Sequence, residues 1–109
     1  MIRTTARATL VAAALVSAAP ADARQVRCYN SDDGWYACDF RQFGGDGSFT
    51  VSAPGRPAYT ISMIERGYSA DGFADYGQGR FALPGVFYRS SEDRACWVSD
   101  ATQFAICAH

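Results

Sequence analysis

Four cysteines constrain the fold of this 109-residue chain more than any other feature. They form two similar pairs, because Cys28 and Cys96 each begin the pattern Cys-aromatic-X-Ser-Asp, and Cys38 and Cys107 each follow soon after. Joining Cys28 to Cys38 and Cys96 to Cys107 closes loops of roughly 10 residues, worth on the order of 2.5 to 3 kcal/mol each in the loop-entropy model. A bridge from Cys28 to Cys107 would contribute roughly 4.5 kcal/mol, so spacing favours the local pattern while the other connectivities stay open.

The N-terminal segment has the composition of a secretory signal peptide. Arg3 and Arg7 precede an apolar run of Ala, Leu and Val over residues 8–19, and small residues follow. About 12 apolar residues are too few to cross a bilayer, which needs about 20. We expect cleavage after Ala23, so that residues 1–23 are the signal peptide. An exported chain with an even number of cysteines predicts disulfides and no free thiol.

Residues 24–109 are expected to form one small domain. Such a chain buries only about 60 to 65% of its unfolded surface, so its core is marginal and needs the disulfides. The domain has eight arginines, no lysine and ten acidic residues. This balance gives no basis for binding nucleic acid or an anionic membrane, and arginine in place of lysine is typical of a GC-rich bacterial genome.

The pattern along the domain predicts an all-β fold. Short runs rich in β-branched and aromatic residues alternate with Gly, Pro, Asp and Ser clusters. In residues 48–53 and 58–65 polar and apolar side chains alternate, as in half-buried strands. We expect about eight short strands in a small antiparallel barrel or sandwich. The other predicted strands are 25–29, 35–43, 73–76, 80–83, 86–89, 94–99 and 103–108, and residues 66–72 are predicted to be a polar loop.

The sequence offers little catalytic machinery. Nucleophilic catalysis generally needs a positioned base, and the only histidine, His109, is the last residue, where chains fray. Carboxylate pairs such as Asp32 with Asp33 and Glu92 with Asp93 lie in predicted turns, where Asp commonly bonds the backbone. The cysteines are better explained by disulfides than by zinc. We therefore expect no enzyme activity, no metal and no cofactor.

The aromatic and arginine residues indicate binding. The chain has 15 aromatic residues, and most must form the core because Leu, Ile and Val are scarce after the leader. Trp35 and Tyr36 are consecutive in a predicted strand, so they cannot both face that core. Exposed rings beside arginines would form a surface for a protein or a glycan. The candidate contact residues are Trp35, Tyr68, Arg80 and Trp97, each with a core or solvent position as its alternative.

Short segments of the chain resemble two known families. Tyr36-Ala-Cys-Asp39, with the small β domain and export, is similar to bacterial periplasmic lysozyme inhibitors. The inhibitory loop of that family carries a Ser-Gly pair and a later lysine, whereas this chain has Tyr68-Ser-Ala-Asp-Gly72 and no lysine. Two further stretches resemble pieces of βγ-crystallin Greek-key motifs, namely Phe43-Gly-Gly45 and Tyr76-Gly-Gln-Gly79 followed by Leu83-Pro-Gly85 and Phe87.

Export, predicted disulfides and the lack of a base together favour one hypothesis. The chain would be a non-enzymatic binding or structural protein of the bacterial cell envelope, periplasmic or secreted. Its partner would be another envelope protein or a cell-wall glycan. The alternatives are an inhibitor of a lysozyme or protease, which inserts a loop such as residues 68–72 into its target, and, as the weakest, a small hydrolase based on Asp pairs.

Overall fold

The computed structural model describes residues 23–109, which form a closed antiparallel β-barrel and contain no helix. The predicted signal peptide therefore lies, but for its last residue, outside the described residues and stays a prediction. The strands are β1 (Ala23–Asn30), β2 (Gly34–Phe43), β3 (Ser48–Ser52), β4 (Ala58–Glu65), β5 (Ser69–Asp75), β6 (Arg80–Ala82), β7 (Phe87–Arg89), β8 (Cys96–Ser99) and β9 (Ala105–Ala108).

The barrel closes in simple up-and-down order. Strands that are neighbours along the chain pair with each other, except β6 and β7, and β9 pairs with β1 to complete the circle. β6 and β7 share one place beside β5. β6 pairs with the C-terminal half of β5, and β7 pairs with the N-terminal end of β5. Of these two, only β7 continues the sheet to β8. Eight strands thus close the barrel, and the described residues contain no Greek-key crossover, so the topology does not support the βγ-crystallin resemblance.

One predicted loop is in fact a strand. Residues 69–72 belong to β5, which pairs with β4 on one side and with β6 and β7 on the other. The residues of β5 that face the lumen are small, and a Cβ added to Gly72 would overlap the ring of Phe87. Bulky side chains have no room there, which removes the apolar alternation by which a strand is recognised.

Aromatic side chains fill the lumen, as the composition predicts. Phe40 and Phe49 stack at 5.1 Å between ring centroids. An eight-stranded barrel is just wide enough for side chains to fill it. Trp35 is exposed while Tyr36 packs against the core, so the consecutive pair does divide between the two faces. The buried aromatic residues are Phe40, Phe49, Tyr59, Phe87 and Trp97.

Both local disulfides are confirmed. Cys28 and Cys38 join β1 to β2 and are fully buried. Cys96 and Cys107 occupy directly opposed positions of β8 and β9. Since β9 lies beside β1, the two bridges flank the β1–β9 seam, where strands from the two ends of the domain meet without a connecting turn.

Candidate functional site

The barrel has two open ends with different linings. One end carries the β2–β3 turn, the β4–β5 turn and the β7–β8 loop, and these surround a cleft of about 520 Å³. We call this cleft the arginine mouth. Its lining includes Arg66, Arg89 and Arg94 together with the apolar residues Phe40, Phe49, Met63 and Trp97.

Local contacts position two of these arginines. Arg89 ends β7 opposite Trp97, and its guanidinium lies over that ring at 5.4 Å while Nε donates a hydrogen bond to the carbonyl of Arg94 at 2.7 Å. Arg66 follows β4, and its Nη2 donates to the carbonyl of Gly45 at 3.3 Å. Each guanidinium has five N–H donors, so most of them remain free to bind a ligand.

The arginine mouth carries a net positive charge. The ion pairs of residues 23–109 join Arg56 to Asp33 and His109 to Asp93, so neither involves an arginine of this cleft. Asp46 is the one acidic residue in the lining, and hydrogen bonds from Ser48 hold the pKa of its carboxyl below the usual range. The Asp46 carboxylate accepts the Ser48 backbone N–H at 3.0 Å, which fixes it to its own turn.

The floor of the cleft is apolar. Phe40, Phe49 and Trp97 are at most 9% exposed, so they offer little open ring surface. Phe43 at the rim is more open, with 40% of its surface accessible. Guanidinium groups bind carboxylate or phosphate in a bidentate manner. The arrangement thus suits an anionic group attached to an apolar body.

The structure does not bring the four predicted contact residues together. Trp97 lines the arginine mouth from the core, and the Tyr68 carbonyl accepts the backbone N–H of Arg89 at 3.1 Å beside it. Trp35 lies on the outer wall, 5.2 Å from the ring of His109. Arg80 lies at the opposite end, over Phe73 at 4.2 Å. Their roles in binding stay predictions.

Sequence reasoning missed the three arginines of the mouth, because their meeting at one rim depends on how β6 and β7 pair. Arg66 directly follows β4, Arg89 ends β7 and Arg94 precedes β8. β6 and β7 follow one another along the chain but run in the same direction, because both pair antiparallel with β5. A strand order that reverses direction at every turn would place Arg89 and Arg94 at the rim opposite Arg66, so the sequence alone does not bring the three arginines together.

His109 is held more firmly than a terminal residue was expected to be. Its backbone N–H donates to the carbonyl of Arg27 at 2.8 Å, and its Nε2 lies 3.0 Å from Oδ2 of Asp93. The sulfur of Cys96 is nearby, but it is bonded to Cys107 and is not a thiolate. The group therefore offers two free metal ligands, fewer than zinc requires.

Acidic and amide side chains hold the turns. The Oδ1 atom of Asn30 accepts the backbone N–H groups of Asp32 and Asp33 at 2.9 and 2.8 Å. The Oδ1 atom of Asp75 accepts a hydrogen bond from the backbone N–H of Gly77 at 2.7 Å. These bonds give the turn residues a structural role of the kind their positions in the sequence predict.

Comparison of the chain with protein-family models, with curated proteins and with solved structures found no match. Across residues 23–109, no helix is long and apolar enough to cross a membrane. The two disulfides are consistent with an extracellular or otherwise oxidising environment. The chemistry of the site itself is therefore the basis for a functional proposal.

Proposed function

We propose that this chain is an exported, non-enzymatic binding protein of the bacterial cell envelope, and that it binds an acidic segment of another envelope protein in the arginine mouth. The observation that carries the proposal is the set of three arginines around an apolar floor, with a single acidic residue in the lining. The whole chain has a net charge of −1, so this local excess of positive charge is a property of the site and not of the composition.

The geometry favours a protein segment over a neutral glycan as the occupant. Sugars stack on open aromatic faces, whereas the rings of this floor are buried, with Phe40 and Phe49 stacked on each other and Arg89 over Trp97. A carboxylate can bind the free N–H groups of Arg66 and Arg94, while an adjacent apolar side chain contacts Phe43 and Met63. The rigid, disulfide-bonded barrel lowers the entropy lost on binding.

A capture experiment with a charge variant tests the proposal. Oxidised residues 24–109 are immobilised, incubated with envelope extract, and bound proteins are identified by mass spectrometry. We expect a saturable partner whose retention falls at least about tenfold in the double variant Arg66→Gln/Arg94→Gln, because the carboxylate loses its charged donors. Arg89 is left in place because it packs on Trp97.

The matched control removes the same charge elsewhere. Arg27→Gln/Arg56→Gln changes two arginines outside the lining of the arginine mouth and should retain the partner. Equal loss in both double variants, or capture of no saturable partner by the oxidised protein, contradicts the proposal.

No observation favours enzyme inhibition through the predicted loop. Residues 69–72 are paired in β5 and cannot insert into a target as a free loop. For this reason the binding proposal is preferred to the inhibitor alternative.

A further inference from the structure

The end of the barrel opposite the arginine mouth holds a second cleft, of about 350 Å³. It lies between the β1–β2 turn, the β8–β9 turn and the segment that joins β6 to β7. We call it the aromatic mouth. Its apolar lining includes Tyr59, Tyr76, Leu83 and Phe104, and its polar lining is Ser31, Asp32, Thr102 and Gln103.

This mouth presents open aromatic faces. Phe81 pairs with Ala74, whose side chain is buried, yet Phe81 is 49% exposed because β6 pairs only with β5 and leaves the wall open. Tyr76 is 61% exposed and stacks on Phe81, with the ring centroids 5.7 Å apart and the planes inclined by 16°. Two nearly parallel rings thus stand at the rim, in contrast to the buried rings of the arginine mouth.

The hydroxyl groups around these rings are held in place as donors. The Oγ atom of Ser31 accepts the backbone N–H of Ala105 at 2.8 Å, and Oγ1 of Thr102 accepts that of Phe104 at 3.2 Å. Each hydroxyl oxygen is thereby fixed, while its hydrogen remains free to donate to a ligand.

Gln103 supplies an acceptor from a strained backbone. Its φ is +66°, the one positive value at a non-glycine among residues 23–109. Such strain clusters at binding sites. The Nε2 atom of Gln103 points to the carbonyl of Ser99 at 3.5 Å, which leaves Oε1 to accept a hydrogen bond beside the carboxylate of Asp32.

The lining of this mouth differs in charge from that of the arginine mouth, because it includes Asp32 and no arginine. This end of the barrel also has two arginines, and both have partners. Arg56 forms an ion pair with Asp33 at 3.7 Å, and the guanidinium of Arg80 lies over the ring of Phe73. An anionic ligand would therefore be repelled. The acidic residues at this end are Asp32, Asp33, Asp75 and Asp100, against the arginines Arg56 and Arg80.

We infer that the aromatic mouth is a second binding site, which takes an uncharged glycan by stacking a pyranose ring on Tyr76. A pyranose has an apolar C–H face that packs on an aromatic ring and hydroxyls that both donate and accept hydrogen bonds. The mouth offers the open ring, the donors Ser31 and Thr102 and the acceptors Asp32 and Gln103 in one cleft of a size usual for small ligands. This site, its ligand and its residues are distinct from those of the proposed protein interaction.

The test is a titration of oxidised residues 24–109 with oligosaccharides, in which nuclear magnetic resonance monitors binding. The probes are the tetramers of N-acetylglucosamine, glucose in β-1,4 linkage and glucose in α-1,4 linkage, with tetragalacturonate as the anionic probe. We expect an uncharged tetramer to bind at low-millimolar concentration or better and tetragalacturonate not to shift the resonances of this mouth.

Two variants and one control locate the site. Tyr76→Ala should weaken binding about tenfold, since the stacking face is lost, and Tyr76→Phe should retain it. Gln103→Gly should also weaken binding but leave the melting temperature equal or higher, because glycine adopts a positive φ freely. Tyr88→Ala is the control, because Tyr88 is also an exposed tyrosine but lies in β7, outside the lining of this mouth.

Three outcomes would overturn the inference. They are failure of every uncharged tetramer to bind, equal weakening by Tyr76→Ala and Tyr88→Ala, and binding of tetragalacturonate at this mouth in preference to the uncharged probes. Oligosaccharide binding that persists in Arg66→Gln/Arg94→Gln separates this result from the fate of the proposed protein interaction.

Discussion

Gly72 and Phe87 illustrate how single residues set the packing of this barrel. Phe87 is fully buried, and its ring occupies the space where a side chain at position 72 would lie. A small aromatic-rich core can therefore close only if residues on the facing strand are small. The same constraint hides β5 from sequence analysis, since glycine and alanine carry no strand signal of their own.

Gly72→Ala should lower the free energy of unfolding by about 1 to 3 kcal/mol, because the added methyl group overpacks the lumen. Urea denaturation with intact disulfides measures the change. In the background Phe87→Leu, the same substitution should cost clearly less, because the ring it meets is gone. Equal costs in the two backgrounds would show that Gly72 and Phe87 are not coupled.

Tyr59 makes the stability of the core depend on pH. It is 1% exposed, and burial raises the pKa of its hydroxyl well above the usual value of 10, with the neighbouring Tyr76 adding to the rise. Burial raises the pKa of Tyr36 as well. In the unfolded chain these groups ionise near pH 10, while in the folded barrel they stay protonated to higher pH.

The stability from Tyr59 is therefore fully present below about pH 10 and is lost as pH rises above it, by up to about 1.4 kcal/mol per pH unit. Unfolding by urea between pH 8 and pH 11 should show this decline. Tyr59→Phe should reduce the slope, and Tyr68→Phe, at an exposed position, should leave it unchanged. An unaltered slope in Tyr59→Phe would place the alkaline sensitivity elsewhere.

At the scale of elements, turn chemistry and alternation predicted most strands. β3 and β4 show clear alternation between Phe49, Val51, Tyr59 and Ile61 and their polar neighbours, and the structure confirms both strands. The division of one barrel position between β6 and β7 could not be predicted, because Pro84 and Gly85 look like an ordinary turn. This interruption opens the wall and creates the aromatic mouth, so the candidate site was missed together with its cause.

The two disulfides should differ in their contribution to stability. Their sequence separations of 10 and 11 residues give about 2.5 to 3 kcal/mol each by chain entropy alone. Cys28→Ala/Cys38→Ala also removes two fully buried sulfur atoms from the core, and a cavity adds to the cost. We expect this double variant to have a lower urea midpoint than Cys96→Ala/Cys107→Ala. The reverse order would mean that the β8–β9 bridge contributes more than its loop entropy.

At the scale of the whole molecule, the up-and-down topology gives the barrel two chemically different ends. Because neighbouring strands run in opposite directions, residues far apart in the sequence collect at one rim. The cleft at one end is lined by Arg66, Arg89 and Arg94 with Asp46, and the cleft at the other end is lined by Asp32 and by no arginine. Composition alone, with its net charge of −1, cannot reveal this difference, because it does not show which charges line which cleft.

The difference predicts that salt will distinguish the two mouths. Raising NaCl from low concentration to about 0.5 M shortens the screening length from roughly 10 Å or more to a few ångströms, so binding of an acidic partner to the arginine mouth should weaken strongly. An uncharged oligosaccharide has no comparable Coulomb attraction, and its affinity for the aromatic mouth should change less than about twofold over the same range. Parallel titrations of one preparation at several salt concentrations measure both. A strong, equal salt dependence at both ends would show that charge governs the aromatic mouth as well, and that its ligand is not a neutral sugar.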